Sequence, residues 1–144
     1  MVDYKEKHNG GYILTVDILS YIERPIKANE LMKLYSNVGW WEERKEQDID
    51  TMLRKETTVG AWKDDVLIGF ARAVSDGKFR AYIEDVVIHN EFQKLGIGTK
   101  LVSGLLEELA HIDVISLFCE EDLIPFYEKS NFRYSKSQFV MHKK

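Results

Sequence analysis

The stretch Tyr82-Ile-Glu-Asp-Val-Val-Ile-His-Asn-Glu-Phe-Gln-Lys-Leu-Gly-Ile-Gly-Thr-Lys100 decides the fold. Its first half is rich in β-branched residues and carries apolar side chains on both faces, which is typical of a central strand. A polar turn with Gly96 and Gly98 follows, and apolar residues then recur at helical spacing from Ile97 to Leu109. A strand, a glycine turn and a helix in this order predict unpaired backbone N–H groups at the helix start, where an anion such as phosphate can bind.

Two common nucleotide-binding loops do not fit this stretch. A P-loop needs Gly-Lys-Ser/Thr after four spacers, whereas Thr99 and Lys100 come in the opposite order with too few spacers. The dinucleotide-binding motif needs a third glycine near Leu101, which is apolar. What remains is Gln-x-x-Gly-x-Gly after a strand with two adjacent carboxylates. A tight turn that only happens to use glycine is the structural alternative.

The bulk properties exclude several classes of protein. A chain of 144 residues with a net charge of −4 predicts one domain, 1–144, without the basic face of a nucleic-acid binder. No apolar run approaches the roughly 20 residues of a membrane span, and the polar N-terminus is not typical of a signal peptide. Cys119 is the only cysteine, and the four histidines lack a paired ligand spacing. We therefore expect a cytoplasmic protein with no membrane partner, no nucleic-acid partner and no metal.

The predicted strands and helices are joined both by hairpins and by helical crossovers. The sequence predicts a flexible arm over 1–11, a strand over 12–22, helices over 27–38 and 43–55, strands over 57–63, 66–74 and 79–88, a helix over 97–110, a strand over 114–119, a helix from 122 or 123, and one or two closing strands over 133–141. This order implies an α/β sandwich with a mixed sheet.

Two motifs resemble the GNAT superfamily of N-acetyltransferases. Residues 93–98, Gln-Lys-Leu-Gly-Ile-Gly, match its pattern Gln/Arg-x-x-Gly-x-Gly/Ala, and residues 126–132 are similar to its Phe-Tyr-Glu-Lys-x-Gly-Phe signature. The region 80–134 looks most like the glucosamine-6-phosphate N-acetyltransferase branch and small bacterial members of unassigned substrate. Two positions depart from the pattern: Leu123 replaces an asparagine that helps to hold pantetheine, and Asn131 replaces a glycine.

The resemblance implies a fold, a co-substrate and a reaction. The fold is a GNAT-type mixed, mostly antiparallel sheet with helices on both faces, and acetyl-CoA is the co-substrate. Val86 and Val87 would lend backbone hydrogen bonds to the pantetheine arm. The pyrophosphate would be held by Gln93, Lys94, Leu95, Gly96, Ile97, Gly98, Thr99 and Lys100. Relatives in this superfamily often pair, so a homodimer is possible.

Acetyl transfer needs a neutral amine. An alkyl amine with a pKa near ~10.4 costs about 4–5 kcal/mol to deprotonate at pH 7, so a general base is expected. Glu84 and Asp85 are the candidates, and adjacent side chains on a flat strand face opposite ways. We favour Glu84, with Asp85 sharing the work across a local bulge or holding the acceptor. Alternatively, these carboxylates pair with Arg72 or Arg80 on neighbouring strands.

The remaining candidates concern the leaving group and the acceptor. Tyr127 is the candidate general acid for the leaving thiolate, with simple aromatic packing as its alternative. By the resemblance, the acceptor pocket lies between the first two helices and the later strands, and its candidate lining residues are Tyr35, Trp40, Trp41 and Arg72. Aromatic side chains beside a carboxylate suit a cationic or aromatic amine, although the tryptophans can equally pack the helix pair.

Three functions follow from this sequence. The first is an N-acetyltransferase that acts on a small primary amine by direct transfer in a ternary complex. The second is a protein N-acetyltransferase, and the third is a non-catalytic acyl-CoA-binding module. Direct transfer gives Cys119 no required role, and we expect it to be a small core residue.

Overall fold

A five-stranded sheet forms the centre of the computed structural model, which describes residues 4–6 and 12–144. The strands are β1 (Tyr4–Glu6), β2 (Tyr12–Leu14), β3 (Asp17–Ser20), β4 (Thr57–Lys63), β5 (Val66–Ser75), β6 (Arg80–Ile88) and β7 (Val114–Leu117). The helices are α1 (Ala28–Val38), α2 (Glu46–Lys55), α3 (Ile97–Glu108) and the short α4 (Ile124–Glu128). Single 3₁₀ turns precede the loop before α3 and the start of α4.

The sheet has the order β3-β4-β5-β6-β7. Neighbouring strands are antiparallel from β3 to β6, whereas β6 and β7 are parallel and are connected through α3. β1 and β2 form a separate antiparallel pair. The mixed, mostly antiparallel sheet predicted from the sequence is therefore confirmed.

Helices cover both faces of the sheet. On one face, Trp62 and Phe70 pack with residues of α1 and α2 such as Leu31 and Leu53. On the other face, residues of β4 and β5 such as Val59 and Ile68 pack with α3. Because β4 and β5 are covered on both sides, most of their residues are buried and the exposed ones lie at the ends of β5, as expected for central strands.

Most predicted elements are present with small shifts at their ends. α1 stops at Gly39, which adopts the left-handed conformation with φ of 75°. Asn131 also adopts positive φ, 68°, and so replaces glycine without difficulty. The predicted strand over 12–22 is divided into β2 and β3. Tyr4–Glu6, in the predicted flexible arm, forms a strand in this structure, while residues 1–3 and 7–11 lie outside the described residues.

The predicted closing strands over 133–141 are wrong. Residues 133–144 contain no strand, and Phe139 and Met141 are 84% and 91% exposed. Ser135 accepts hydrogen bonds from the backbone N–H groups of Ser137 and Gln138, at 3.2 and 2.9 Å, which turns the chain away from an extended course. β7 is consequently the last strand of the sheet in the described part of the chain.

Candidate active site

A bulge in β6 brings two adjacent carboxylates to the same face of the sheet. Val87 lies opposite Phe70 and Glu84 lies opposite Arg72, so Asp85 and Val86 together face a single residue of β5. Asp85 takes a left-handed conformation with φ of 52°. The bulge cancels the alternation of a flat strand, and Asp85 therefore points to the α1 and α2 side together with Glu84.

Arg72 is the centre of the charged cluster on that face. Its Nε donates to Asp85 Oδ2 at 2.7 Å, its Nη1 to Glu56 Oε2 at 2.7 Å and its Nη2 to Glu84 Oε2 at 2.6 Å. The Arg72 side chain is only 10% exposed. The ion-pair alternative that the sequence left open is thus observed for both carboxylates, with Arg72 as the partner.

The Asp85 carboxylate accepts hydrogen bonds from four side chains. Its Oδ2 also accepts from the Tyr35 hydroxyl at 3.1 Å and from Arg44 Nη1 at 3.0 Å, and its Oδ1 accepts from Trp41 Nε1 at 3.0 Å. Burial opposes ionisation of this carboxyl, but the hydrogen bonds and charges of Arg72 and Arg44 outweigh it, so the pKa of Asp85 lies below its usual value of 3.8. Its side chain is 3% exposed, so Asp85 is poorly placed to take a proton from a substrate.

Glu84 is more accessible. Its side chain is 32% exposed, and its second oxygen, Oε1, accepts from the Tyr82 hydroxyl at 2.8 Å. Burial and the hydrogen bond to Glu84 raise the pKa of Tyr82 to about 12, so this phenol stays protonated and acts as a donor. Tyr82 also packs against Phe118, with ring centroids 4.8 Å apart.

The connection between α1 and α2 is fixed to the same cluster. Trp41 has positive φ, 54°, and the Arg44 guanidinium lies 4.0 Å from the centre of its ring. Tyr35 is fully buried, with an edge-to-face contact to Phe70. Trp40 is 38% exposed, and its backbone N–H donates to the Tyr35 carbonyl at 2.9 Å.

Two members of the cluster were not predicted from the sequence, Arg44 and Glu56. Arg44 lies three residues after Trp41. This spacing brings both side chains to Asp85 only because the connection between α1 and α2 folds over β6. Glu56 comes just before β4, where the register places Thr58 opposite Arg72. Neither residue carries a sequence signal that distinguishes it from the many exposed charges nearby.

At the start of α3, several backbone N–H groups have no acceptor among residues 4–6 and 12–144. Gly96 precedes the helix in the left-handed conformation, φ 80°, and within the described residues no side chain caps it. The N–H groups of Ile97, Gly98 and Thr99 fall in the first turn of the helix, where intrahelical acceptors are lacking. A Cβ added to Gly96 would meet no atom within 4 Å, so the space beside this turn is open. This turn can therefore receive an anionic group.

The other loop positions contribute in different ways. Lys94 has positive φ, 63°, and like Leu95 and Lys100 it is exposed. Gln93 Nε2 donates to the Ile88 carbonyl at 3.0 Å and to Asn90 Oδ1 at 3.2 Å, so its amide group is engaged within the protein. Gly98 lies against Phe126 of α4, since an added Cβ would come within 3.0 Å of that ring.

The sheet opens where β6 passes the bulge. β7 pairs with β6 only from Arg80↔Val114 to Ile83↔Leu117, so from Glu84 onward β6 has no strand beside it on that side among residues 12–144. The backbone of Val86 and Val87 lies in this open section, between the carboxylates and the loop before α3. An extended ligand can run along this edge from the carboxylates to the start of α3.

Tyr127 lies on α4, at the β7 side of the opening. It lines a cavity of about 870 Å³ together with β7, Cys119 and part of the segment 132–142, and its ring packs edge-to-face on Phe132. Burial, together with the charge of Cys119, raises the pKa of Tyr127 to about 12. Cys119 is exposed, so its expected core position is wrong. Leu123 is 44% exposed.

The profile of the Acetyltransferase (GNAT) family matches residues 26–132. The chain belongs to the GNAT family of acetyltransferases. It is accordingly an acetyl-CoA-dependent N-acetyltransferase, and the resemblance of its two motifs to this family is confirmed.

Proteins from several organisms are similar to this GNAT chain. It is 38% identical over 123 residues to an uncharacterized N-acetyltransferase, ycf52, of Pyropia yezoensis, which covers 81% of the chain and 70% of that protein. Over 118 residues it is 40% identical to the Porphyra purpurea protein of the same name, covering 81% of the chain and 59% of that protein. A chloroplastic GCN5-related N-acetyltransferase 2 of Arabidopsis thaliana is 43% identical over 68 residues, which cover 46% of the chain and 26% of that protein.

Solved structures share the fold. A probable acetyltransferase of unknown function from Staphylococcus aureus has a TM-score of 0.76 at 20% identity, covering 90% of this chain and 99% of that one. The glucosamine-6-phosphate N-acetyltransferase of Arabidopsis thaliana has a TM-score of 0.68 at 15% identity, covering 90% and 99%. At these identities the likeness is one of fold alone.

Within the described ranges, no helix is both long enough and apolar enough to cross a membrane. The cytoplasmic location, the single domain and the homodimer stay predictions from the sequence.

Proposed function

We propose that this GNAT enzyme transfers an acetyl group from acetyl-CoA directly to the primary amine of a small molecule, in a ternary complex and without a metal. The observation that carries the proposal is the open turn before α3, whose N–H groups have no partner in the described part of the chain, beside the open section of β6. Acetyl-CoA supplies the activated acetyl group as a thioester. The other steps fall to residues of this chain.

The cofactor side is assigned to the turn and to β6. The N–H groups from Leu95 to Thr99 would hold the pyrophosphate by backbone hydrogen bonds and the partial positive charge of the helix. The Lys100 N–H already donates to the Gly96 carbonyl at 3.4 Å, so Lys100 would contribute through its exposed side chain. Val86 and Val87 offer their backbone groups to the pantetheine arm. One of these N–H groups would donate to the thioester oxygen and stabilise the charge that develops there.

Glu84 is proposed as the general base, acting directly or through a water molecule. The observations that support it are its 32% exposure and the single donor found at each of its two oxygens. Asp85 has four donors and is 3% exposed, which suits a residue that positions Trp41 and Arg44 rather than one that accepts a proton.

Tyr127 is proposed as the proton donor to the departing thiolate. With a pKa of about 12 its phenol remains protonated throughout the neutral range. A thiol pKa near ~8.5 makes the thiolate a fair leaving group, so a hydrogen bond from Tyr127 helps without being essential.

The acceptor is proposed to bind over Glu84, beside the connection that carries Trp40 and Trp41. Tyr35 and Arg72 shape this region through the cluster and do not face solvent themselves. A small cationic amine fits the partly exposed Glu84 carboxylate, and the 41% exposed Trp41 is bonded to the neighbouring Asp85. Neither nucleic acid nor membrane is proposed as a partner.

Release of free thiol from acetyl-CoA in the presence of amines tests this function. We expect release with at least one member of a panel of polyamines, aminosugars, arylalkylamines and amino acids, and none without an amine. Release only with peptides would favour a protein N-acetyltransferase. Tight acetyl-CoA binding without release for any amine or peptide would favour a non-catalytic binding module and contradict the proposal.

The base is tested by the pH dependence of the rate. We expect Glu84→Gln to lower turnover and to remove the acidic limb of the pH–rate profile, because the group that must lose its proton is gone. Asp85→Asn should keep that limb even if its rate is lower. If Asp85→Asn removes the acidic limb and Glu84→Gln keeps it, Asp85 is the base.

The proton donor is tested by Tyr127→Phe, which removes only the hydroxyl. We expect turnover to fall by about 10²-fold, the lower end for general acid catalysis, with little change in acetyl-CoA affinity. Unchanged turnover across the pH range would show that Tyr127 only packs against Phe132.

A further inference from the structure

Three carboxamide side chains connect the end of α1 to the loop before α3. Asn90 donates its backbone N–H to Asn37 Oδ1 and its side-chain Nδ2 to the Asn37 carbonyl, both at 2.8 Å. Asn90 Oδ1 in turn accepts from Gln93 Nε2 at 3.2 Å, and the same nitrogen donates to the Ile88 carbonyl at 3.0 Å. Four hydrogen bonds thus link residues 37, 88, 90 and 93.

We propose that Asn37, Asn90 and Gln93 form a positioning relay that holds the cofactor loop in its binding shape. Gln93 acts on the cofactor through this relay and the loop backbone, not by touching the pyrophosphate. The inference rests on the proposed role of the turn before α3. It adds a residue, Asn37, from a helix on the opposite, acceptor side of the sheet.

The geometry of Gln93 supports this role. Both of the hydrogen bonds from Nε2 point back to the end of β6 and the 3₁₀ turn at Asn90–Phe92, so the amide nitrogen is not free for a ligand. Gln93 lies one residue before Lys94, which takes the unfavourable positive φ of 63°. The anchored Gln93 side chain, directly before Lys94, opposes relaxation of the backbone to a more common conformation.

The other end of the relay is well fixed. Asn37 lies on the last turn of α1, just before Gly39 ends the helix, and two turns of the same helix are buried through Leu31, Leu34 and Tyr35. Its paired hydrogen bonds with Asn90 use one side-chain and one backbone group from each residue. Because Tyr35 also donates to Asp85, α1 supports both the acceptor side and the cofactor loop.

The test is the affinity for CoA, measured by calorimetry without any acceptor. Asn37→Ala removes the acceptor of the Asn90 N–H, and we expect the dissociation constant to rise by about 3- to 10-fold, as for one lost hydrogen bond. Asn37→Asp keeps an oxygen at this position and should restore most of the affinity. Ser36→Ala, one residue earlier on the exposed side of α1, is the matched control and should leave the affinity unchanged.

A double-mutant cycle separates the relay from direct contact. If Gln93 acts through Asn90, adding Gln93→Ala to Asn37→Ala weakens binding by clearly less than the product of the two single effects. If Gln93 touches the pyrophosphate, Gln93→Ala weakens binding alone and Asn37→Ala has no effect, which overturns the inference. Equal affinities for Asn37→Ala and the wild type also overturn it.

Failure of the relay is distinct from failure of the proposed binding loop. Gly96→Val perturbs the turn itself, so its loss of CoA affinity tests the proposed function. If Gly96→Val fails to bind CoA while Asn37→Ala binds normally, the loop is correct and the relay is wrong. If Gly96→Val binds CoA normally, the proposed function is wrong as well.

Discussion

The two sides of the β6 bulge differ in how completely their polar groups are paired. On the α1 and α2 side, both oxygens of Asp85 and three nitrogens of Arg72 have protein partners at 2.6–3.1 Å. At the start of α3, by contrast, Gly96 has no side-chain cap within the described residues and the space beside it is open.

We infer from this difference that the charged cluster acts as a scaffold and that the turn before α3 is the proposed binding site. Buried polar groups are costly when unpaired, so a fully paired cluster fixes local shape and has little capacity left for a ligand. A helix start with free N–H groups keeps that capacity, and an anion is the natural partner. Glu84 lies at the border of the two regions, since one of its oxygens is held by Arg72 while its side chain remains partly exposed.

The largest expected effect is on stability, from Arg72→Met. Removing this nearly buried cation leaves Glu56, Glu84 and Asp85 without their shared partner, and we expect a loss of about 3–5 kcal/mol in the free energy of unfolding. Arg54→Met is the control, because Arg54 pairs with Asp50 on the surface of α2, where both side chains are about half exposed or more. It should cost no more than about 0.5 kcal/mol in urea unfolding. Similar small losses for both variants would mean that the cluster is no scaffold.

The next effect is on binding, from Gly96→Val. A β-branched residue is strained at φ of 80°, so the turn must change shape and withdraw its N–H groups. Loss of two hydrogen bonds to a charged group predicts CoA binding weaker by at least about 100-fold. Gly77→Val is a close match, because Gly77 has φ of 84° and equally open surroundings in the β5–β6 turn. Gly77→Val should lower the stability of the protein without weakening CoA binding. If Gly96→Val and Gly77→Val bind CoA with the same affinity, the assignment of the turn before α3 is contradicted.

A smaller loss of stability, which depends on pH, is expected from Asp85→Asn. The folded pKa of Asp85 is depressed, so its stabilisation is complete above the ordinary value of 3.8 and is lost as the pH falls through the folded pKa. At pH 7 we expect the variant to be less stable by about 1.5–3 kcal/mol, the range for hydrogen bonds to charged groups. Urea unfolding at pH 7, 5, 4 and 3 should show this gap narrowing below about pH 4. A gap that stays constant down to pH 3 would mean that the Asp85 charge does not stabilise the fold.

The fold could largely be predicted from the sequence, because its signals are local. The helical spacing from Ile97 onward, the glycine that ends α1 and the turn residues between β4, β5 and β6 each act within a few positions. The lack of a strand over 133–141 could not be predicted, because the Ser135 turn depends on side-chain hydrogen bonds that the apolar and aromatic pattern does not reveal.

The turn before α3 could be predicted from the sequence, whereas the contacts of the charged residues could be predicted only in part. Gly96 and Gly98 predict a turn. The packing of Gly98 on Phe126 could not be predicted, because it depends on the position of α4 against α3. Glu84 and Asp85 can pair with a single arginine only because the bulge shifts the register of β6 by one residue. No sequence pattern marks the position of this bulge. Arg44 and Asn37 act across distances of 41 and 53 residues along the chain, which no local pattern reports.

A titration of the ¹⁵N-labelled protein with CoA, followed by its amide and indole N–H resonances, tests the central claim most directly. We predict that the backbone N–H signals of Ile97, Gly98 and Thr99 shift most, while the Trp41 indole N–H, bonded to Asp85, keeps its position. Saturating CoA that moves the Trp41 indole signal and leaves the three backbone signals unchanged would contradict the division between scaffold and binding site.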